Sequence, residues 1–181
     1  MQAIISPGSY GLDAGCGAGA RDVFFYWEAG YDIYGIDALE ENISLSQDIH
    51  PQIASRLSVT DLSNPLTYSD GEFDFVICNA VIQHIKPKQV RGVTLPEFSR
   101  ILKPGGILQL MFKVGTGIKT VYDMDYEVTR TFQLYDATET VILLTELSFQ
   151  LIEEVDGKLG GVMYFTDSKP VDHCLVFMRK Q

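Results

Sequence analysis

Gly15, Gly17 and Gly19 fall on alternate positions inside residues 10–21, between a short apolar stretch and a helical pattern. Residues without Cβ atoms tolerate positive φ and let a ligand come close to the main chain. A strand, a glycine turn and a helix opening at about Ala18 form a unit that aims unpaired N–H groups and a positive dipole end at one point. Asp13 stands just before the turn, at the carboxyl end of the strand, where open α/β sheets bind ligands. This unit restricts the chain to an α/β architecture with a nucleotide-like ligand at the turn.

With 181 residues the chain is long enough for one domain with a sizeable core, and residues 1–181 read as a single domain. Hydrophobic residues make up 46% and charged residues 21%, ordinary for a globular protein. No apolar run approaches the roughly 18 residues of a membrane span, and the N-terminus lacks a basic-then-apolar signal pattern. These features favour a soluble, cytoplasmic protein without a membrane partner. The formal net charge of −10 argues against a nucleic-acid backbone as the main partner and favours small molecules or basic proteins. Solubility alone is the simpler explanation of the acidity. Cys16, Cys78 and Cys174 are odd in number and lack metal-ligand spacing, and His50, His84 and His173 are scattered. Neither disulfides nor a metal site is expected.

Along the chain, Ala20, Val23, Phe24 and Trp27 keep helical spacing and Gly30 suits the C′ stop. Residues 31–37 read as a second strand ending on Asp37, and residues 39–48 as a helix broken by His50-Pro51. Residues 57–60 form a short third strand before Asp61; residues 63–71 are turn-rich. Residues 73–79 are almost continuously apolar, as in a strand buried on both faces of a parallel sheet. A helical region over residues 87–102 is bent or divided at Pro96, and Lys103-Pro104-Gly105-Gly106 turns into a fifth strand over 107–113. Strands alternating with helices indicate right-handed crossovers. Residues 114–135 have no clean periodicity and are long for a connection, which suggests a lid or an acceptor insertion. An amphipathic helix over 137–149 follows, then strands over 150–156 and 171–179. The latter two are joined by a loop and expected to pair antiparallel.

The glycines alone leave the ligand open. Gly15-x-Gly17-x-x-Ala20 satisfies a relaxed dinucleotide fingerprint, a weak signal on its own that keeps an NAD(P)-dependent oxidoreductase as an alternative. The surrounding residues resemble another family, the class I S-adenosylmethionine (SAM)-dependent methyltransferases, in particular their small, broad-substrate group. Asp13-Ala14-Gly15-Cys16-Gly17-Ala18-Gly19 is similar to that family's first motif, and Asp37 to the acid ending its second strand. Asp61-Leu62 is similar to the pair after strand three. Phe73-Asp74-Phe75-Val76 with Asn79-Ala80 and His84 resembles the fourth-strand motif, and Leu102-Lys103-Pro104-Gly105-Gly106 the turn before strand five. The resemblance runs from about Tyr10 to the C-terminus. It implies a Rossmann-like fold, with a mostly parallel sheet of about seven strands ending in an antiparallel hairpin and helices on both faces.

It also implies roles. The turn at Gly15, Cys16, Gly17 and Gly19 packs against the methionyl part of SAM, and Asp13 holds its ammonium. Asp37, with Ala38 beside it, accepts the ribose hydroxyls; Asp61 takes the adenine amino group next to the Leu62 backbone. Asn79 and Ala80 line the methionyl end. S-adenosylhomocysteine is the implied product and a small molecule the acceptor. His84 is the candidate base or acceptor-orienting group, and Tyr122, Tyr126, Arg130 and Tyr135 are acceptor-pocket or lid candidates. Structural alternatives stand beside each role: caps for Asp13 and Asp37, an ordinary turn for Asp61, a packed or capping histidine for His84, and aromatics that only cover a sheet edge. Cys16 reads as a small buried residue and not a nucleophile.

One departure from the family pattern is the short lead-in. Only residues 1–9 precede the first motif, where relatives carry covering helices. The cover then comes from residues 114–135 or from a homodimer or other partner subunit, unless the sequence is truncated. A catalytically silent SAM-binding subunit or fragment is the corresponding alternative.

Overall fold

The computed structural model describes residues 1–124, 127–153, 160–166 and 171–181. The expected order of strands and helices is present: β1 (Tyr10–Ala14), α1 (Arg21–Glu28), β2 (Asp32–Asp37), α2 (Glu40–Ile49), β3 (Leu57–Val59) and β4 (Phe73–Asn79). Next come α3 (Pro87–Gln89), a π-helical turn (Val90–Thr94), α4 (Leu95–Ile101) and β5 (Leu102–Lys113). The chain ends with β6 (Ile118–Asp123), β7 (Val128–Gln133), α5 (Ala137–Glu146), β8 (Phe149–Leu151), β9 (Val162–Phe165) and β10 (His173–Lys180).

The main sheet runs in the order β3-β2-β1-β4-β5-β10-β8, with β9 also paired to β10. The neighbours β1–β2, β1–β4, β2–β3 and β4–β5 are parallel, while β10 is antiparallel to β5, β8 and β9. Strand order reverses between β1 and β4, which opens a crevice at their carboxyl ends. Central strands are apolar on both faces because both are covered. Leu12, Val76, Cys78, Leu108 and Leu110 pack towards Leu95, Phe98 and Leu144. Ile33, Phe75, Ile77 and Ile107 pack towards Val23, Tyr26 and Ile43 on the other face.

Several local features differ from the sequence reading. Helix α1 opens at Arg21, three residues later than expected, because Ala20 at its N-cap takes a left-handed conformation, φ 39°. Pro96 lies in the first turn of α4, and the preceding turn is π-helical instead of a simple bend. Strand β5 begins at Leu102, and residues 103–106 bulge out between the pairs Phe73↔Leu102 and Phe75↔Ile107. The strand expected over 150–156 is described as Phe149–Leu151, with residues 154–159 outside the described set. Strand β9 lies in the segment read as a loop.

The largest difference is at residues 114–135, where β6 and β7 form a two-stranded antiparallel hairpin. Opposite residues of such a pair share a face, so Val121, Arg130, Lys119 and Phe132 lie together. Phe132 is buried and packs edge-on to His84, whereas Tyr122 on the opposite face is exposed.

Candidate active site

The glycine turn is held by side chains from two neighbouring elements. Asp37, at the end of β2, accepts hydrogen bonds from the Gly17 N–H at 3.0 Å, the Leu39 N–H at 3.0 Å and Asn42 Nδ2 at 2.9 Å. Ser46 of α2 accepts from the Gly19 N–H at 2.8 Å and donates its hydroxyl to backbone carbonyls, those of Asn42 and Gly17 lying at 2.7 and 3.1 Å. Donors expected to await a ligand are thus partly engaged within the protein. A Cβ at Gly15, φ 95°, would come within 2.4 Å of Val81. At Gly17, φ 64°, it would meet nothing within 4 Å. Gly15 is therefore required by packing, and Gly17 leaves open space above the turn.

That space belongs to a cleft of about 1020 Å³ at the carboxyl ends of β1, β2 and β4. The cleft brings together most of the sequence candidates. Asp13, Gly15, Cys16 and Gly17 line it, as do Asp37 and Ala38. Asp61, Leu62, Asn79, Ala80 and His84 also line it, together with Arg130 of the hairpin, whose charge acts on His84. Gly19 does not line the cleft and acts through its bond to Ser46. Tyr122 is not in the lining either, and Tyr126 lies outside the described residues. Tyr135 is buried below the turn that carries His84, and its hydroxyl donates to the Ile82 carbonyl at 3.2 Å. Its place is a strut under the site, facing a smaller cavity and not the cleft.

Electrostatics differ along the cleft. Asp13 is 3% exposed, and no donor among the described residues bonds to its carboxylate. Burial, and then the charges of Asp22 and Asp37, push its pKa well above the ordinary carboxylate range. Burial together with Asp13 and Asp37 raises the Cys16 thiol, which stays protonated. Asp61 accepts from the Ser63 N–H at 2.8 Å and Asn64 Nδ2 at 3.3 Å, closing a local turn while lining the cleft. Ala80, just past β4, has φ 58°, a strained geometry for alanine at a ligand-facing strand end. His84 retains solvent-exposed surface, yet desolvation, followed by the charges of Arg130 and Lys113, lowers its pKa below 6.5. Its imidazole is neutral at physiological pH.

Arg21 and Asp22, in the first turn of α1, also line the cleft and were missed by motif reading. The available signal was positional: a charged pair in the first helical turn after a ligand-facing glycine loop.

Comparison with known proteins agrees with this geometry. A family model described as a methyltransferase domain matches residues 12–110. The chain belongs to the class I SAM-dependent methyltransferase family. An uncharacterized methyltransferase from Synechocystis sp. is 32% identical over 107 residues, covering 59% of this chain and 48% of that protein. Across the first three curated relatives, the match spans 32% to 58% of their length. Among solved structures, a SAM-dependent methyltransferase from Methanosarcina mazei aligns over 98% of this chain and 94% of its own, with TM-score 0.79 and 21% identity. The 1,6-didemethyltoxoflavin-N1-methyltransferase of Burkholderia thailandensis, solved with 1,6-didemethyltoxoflavin and S-adenosylhomocysteine, aligns over 99% of this chain and 74% of its own, with TM-score 0.75 and 17% identity.

The residues present fit SAM. The cleft is large enough for an adenosyl cofactor together with a small acceptor. Gly17 leaves room against the main chain, and the unpaired Asp13 carboxylate suits a cationic ligand. No helix among the described residues is long and apolar enough to cross a membrane.

Proposed function

We propose that this chain is a methyltransferase that moves the methyl group of SAM to a small-molecule acceptor entering beside His84 and Arg130. The observation that carries the reading is the single cleft uniting Asp13, the Gly15–Gly17 turn, Asp37 and His84. SAM supplies an activated methyl group with a good leaving group. The remaining requirement is alignment, and positioning of this kind contributes about 7–11 kcal/mol.

In this reading the remaining lone pairs of Asp37 accept the ribose hydroxyls, and Asp61 with the Leu62 backbone holds the adenine. Asp13 faces the methionyl ammonium. His84 takes the acceptor's proton where the acceptor is protonated at working pH, a role that a lowered histidine pKa supports. The hairpin β6–β7 borders the acceptor site through Arg130 in the cleft lining and Phe132 packed against His84. The heterocyclic acceptor of the Burkholderia thailandensis protein supports a small-molecule substrate.

Calorimetry with SAM and S-adenosylhomocysteine tests the cofactor assignment. Binding near the micromolar range, about −8 kcal/mol, is expected, and no heat of binding for either removes it. Transfer of label from methyl-labelled SAM to members of a small-molecule panel tests turnover. Cofactor binding with no transfer to any acceptor would favour the silent-subunit alternative.

A further inference from the structure

A polar chain runs from β5 to the cleft and ends on an acid that no motif assigns. Gln109 lies in the middle of β5, where a central strand otherwise carries apolar residues. Its Nε2 donates to Asn79 Oδ1 at 3.0 Å, and Asn79 Nδ2 donates to Asp22 Oδ2 at 3.0 Å. These three side chains come from β5, the end of β4 and the first turn of α1. Chemistry fixes the direction of both bonds. A carboxylate only accepts, so the Asn79 amide must turn its NH2 towards Asp22 and its oxygen towards Gln109. Gln109 must then present its own NH2. The charge on Asp22 thus orders two amides in sequence.

Asp22 lines the same cleft as Asp13. The two acids repel each other, and Asp13 is buried with no donor bonded to it among the described residues. A buried, unpaired carboxyl group beside a second acid is unfavourable when ionised; in the free protein this favours protonation of Asp13, and a bound cation can take the place of that proton. With SAM as the ligand, the group able to do so is its methionyl ammonium.

We propose that Asp22 pairs with Asp13 to seat the methionyl ammonium of SAM, and that Gln109 is a positioning residue acting on Asp22 through Asn79. This rests on the cleft being the SAM site. It adds to the place of Asn79 in the cleft lining a second role, as the link between Gln109 and Asp22.

A double-mutant cycle read with two ligands tests it. The probes are SAM and 5′-methylthioadenosine, which keeps the adenosyl part and lacks the amino-acid part. Asp22→Ala is expected to weaken SAM about ten- to hundredfold, as for loss of a charged hydrogen bond. Gln109→Leu is expected to weaken it about three- to tenfold. In the Asp22→Ala background, Gln109→Leu should add no more than about a twofold loss, because its effect passes through Asp22. Methylthioadenosine affinity should stay within about twofold of wild type in every variant.

A full additive loss from Gln109→Leu in the Asp22→Ala background overturns the positioning role. Equal weakening of methylthioadenosine overturns the ammonium seat. If Asp22→Ala does not fold, Asp22→Asn replaces it, and an unchanged SAM affinity in that variant likewise overturns the seat. Wild-type protein that binds neither probe instead overturns the reading of the cleft itself.

Discussion

Asp37 accepts a hydrogen bond from the Gly17 N–H at 3.0 Å, so the acid expected to hold the ribose also fixes the turn expected to hold the methionyl group. Removing it acts on both. Asp37→Ala is expected to weaken SAM by about 1–3 kcal/mol and to lower the melting temperature of the ligand-free protein as well. Asn42→Ala removes one partner of Asp37 and leaves the carboxylate in place. Calorimetry and thermal unfolding of the two variants separate these effects, since Asn42→Ala should retain most of the SAM affinity. Unchanged SAM affinity in Asp37→Ala would exclude it as the ribose partner.

The two glycines of the turn should fail differently. Gly15→Ala drives a methyl group to 2.4 Å from Val81 at φ 95° and is expected to cost about 2–4 kcal/mol of stability from overpacking and backbone strain together. Gly17→Ala meets no atom within 4 Å, so only the strain of φ 64° applies, about 1–2 kcal/mol. Its methyl group occupies ligand space, so SAM binding should fall further than stability does. Urea unfolding combined with calorimetry checks the contrast, and equal stability losses in the two variants would refute it.

How far the sequence reached depends on the range of each interaction. Asp13, Asp37 and Asp61 were legible because strand periodicity places them at successive strand ends, and the structure brings all three to one cleft. The link from Asn79 to Asp22 joins residues 57 apart, and that from Gln109 to Asn79 residues 30 apart. No local pattern encodes such pairs. Hairpin β6–β7 escaped for another reason. Its outer face carries Ile118 and Tyr122 exposed, so the polar–apolar contrast that marks a half-buried strand is missing. From sequence Tyr135 is a lid or acceptor-pocket candidate, whereas its phenol bonds a carbonyl of the turn that carries His84. Sequence cannot distinguish an aromatic over a cleft from one beneath it.

Asp13 should make the ligand-free protein less stable as pH rises. Its native pKa lies well above its ordinary value of 3.8, through burial and the charges of Asp22 and Asp37. Between those two values the native state holds more protons than the unfolded chain, so this group's contribution to stability falls with increasing pH. Asp13→Asn removes the dependence. It is expected to melt higher than wild type at about pH 8, with the gap closing towards about pH 4, while binding SAM more weakly. Thermal unfolding across that range checks it, and parallel melting curves for the two proteins would mean Asp13 does not titrate in this way.

His84 gives the complementary test at the acceptor end. Desolvation and the nearby charges of Arg130 and Lys113 hold its pKa below 6.5. A base of this kind is active above its pKa, so turnover should rise with pH and level off before neutrality. His84→Gln should lower kcat by about 10²–10⁴ for an acceptor that must lose a proton, with SAM affinity unchanged. The environment can be tested before any acceptor is found. Arg130→Gln withdraws one of the two cations that disfavour the imidazolium, so the His84 pKa should move up towards its ordinary value. Following the imidazole resonances by NMR as pH is varied measures that shift directly. A His84 midpoint that stays in place in Arg130→Gln would show that the guanidinium exerts no field at the ring.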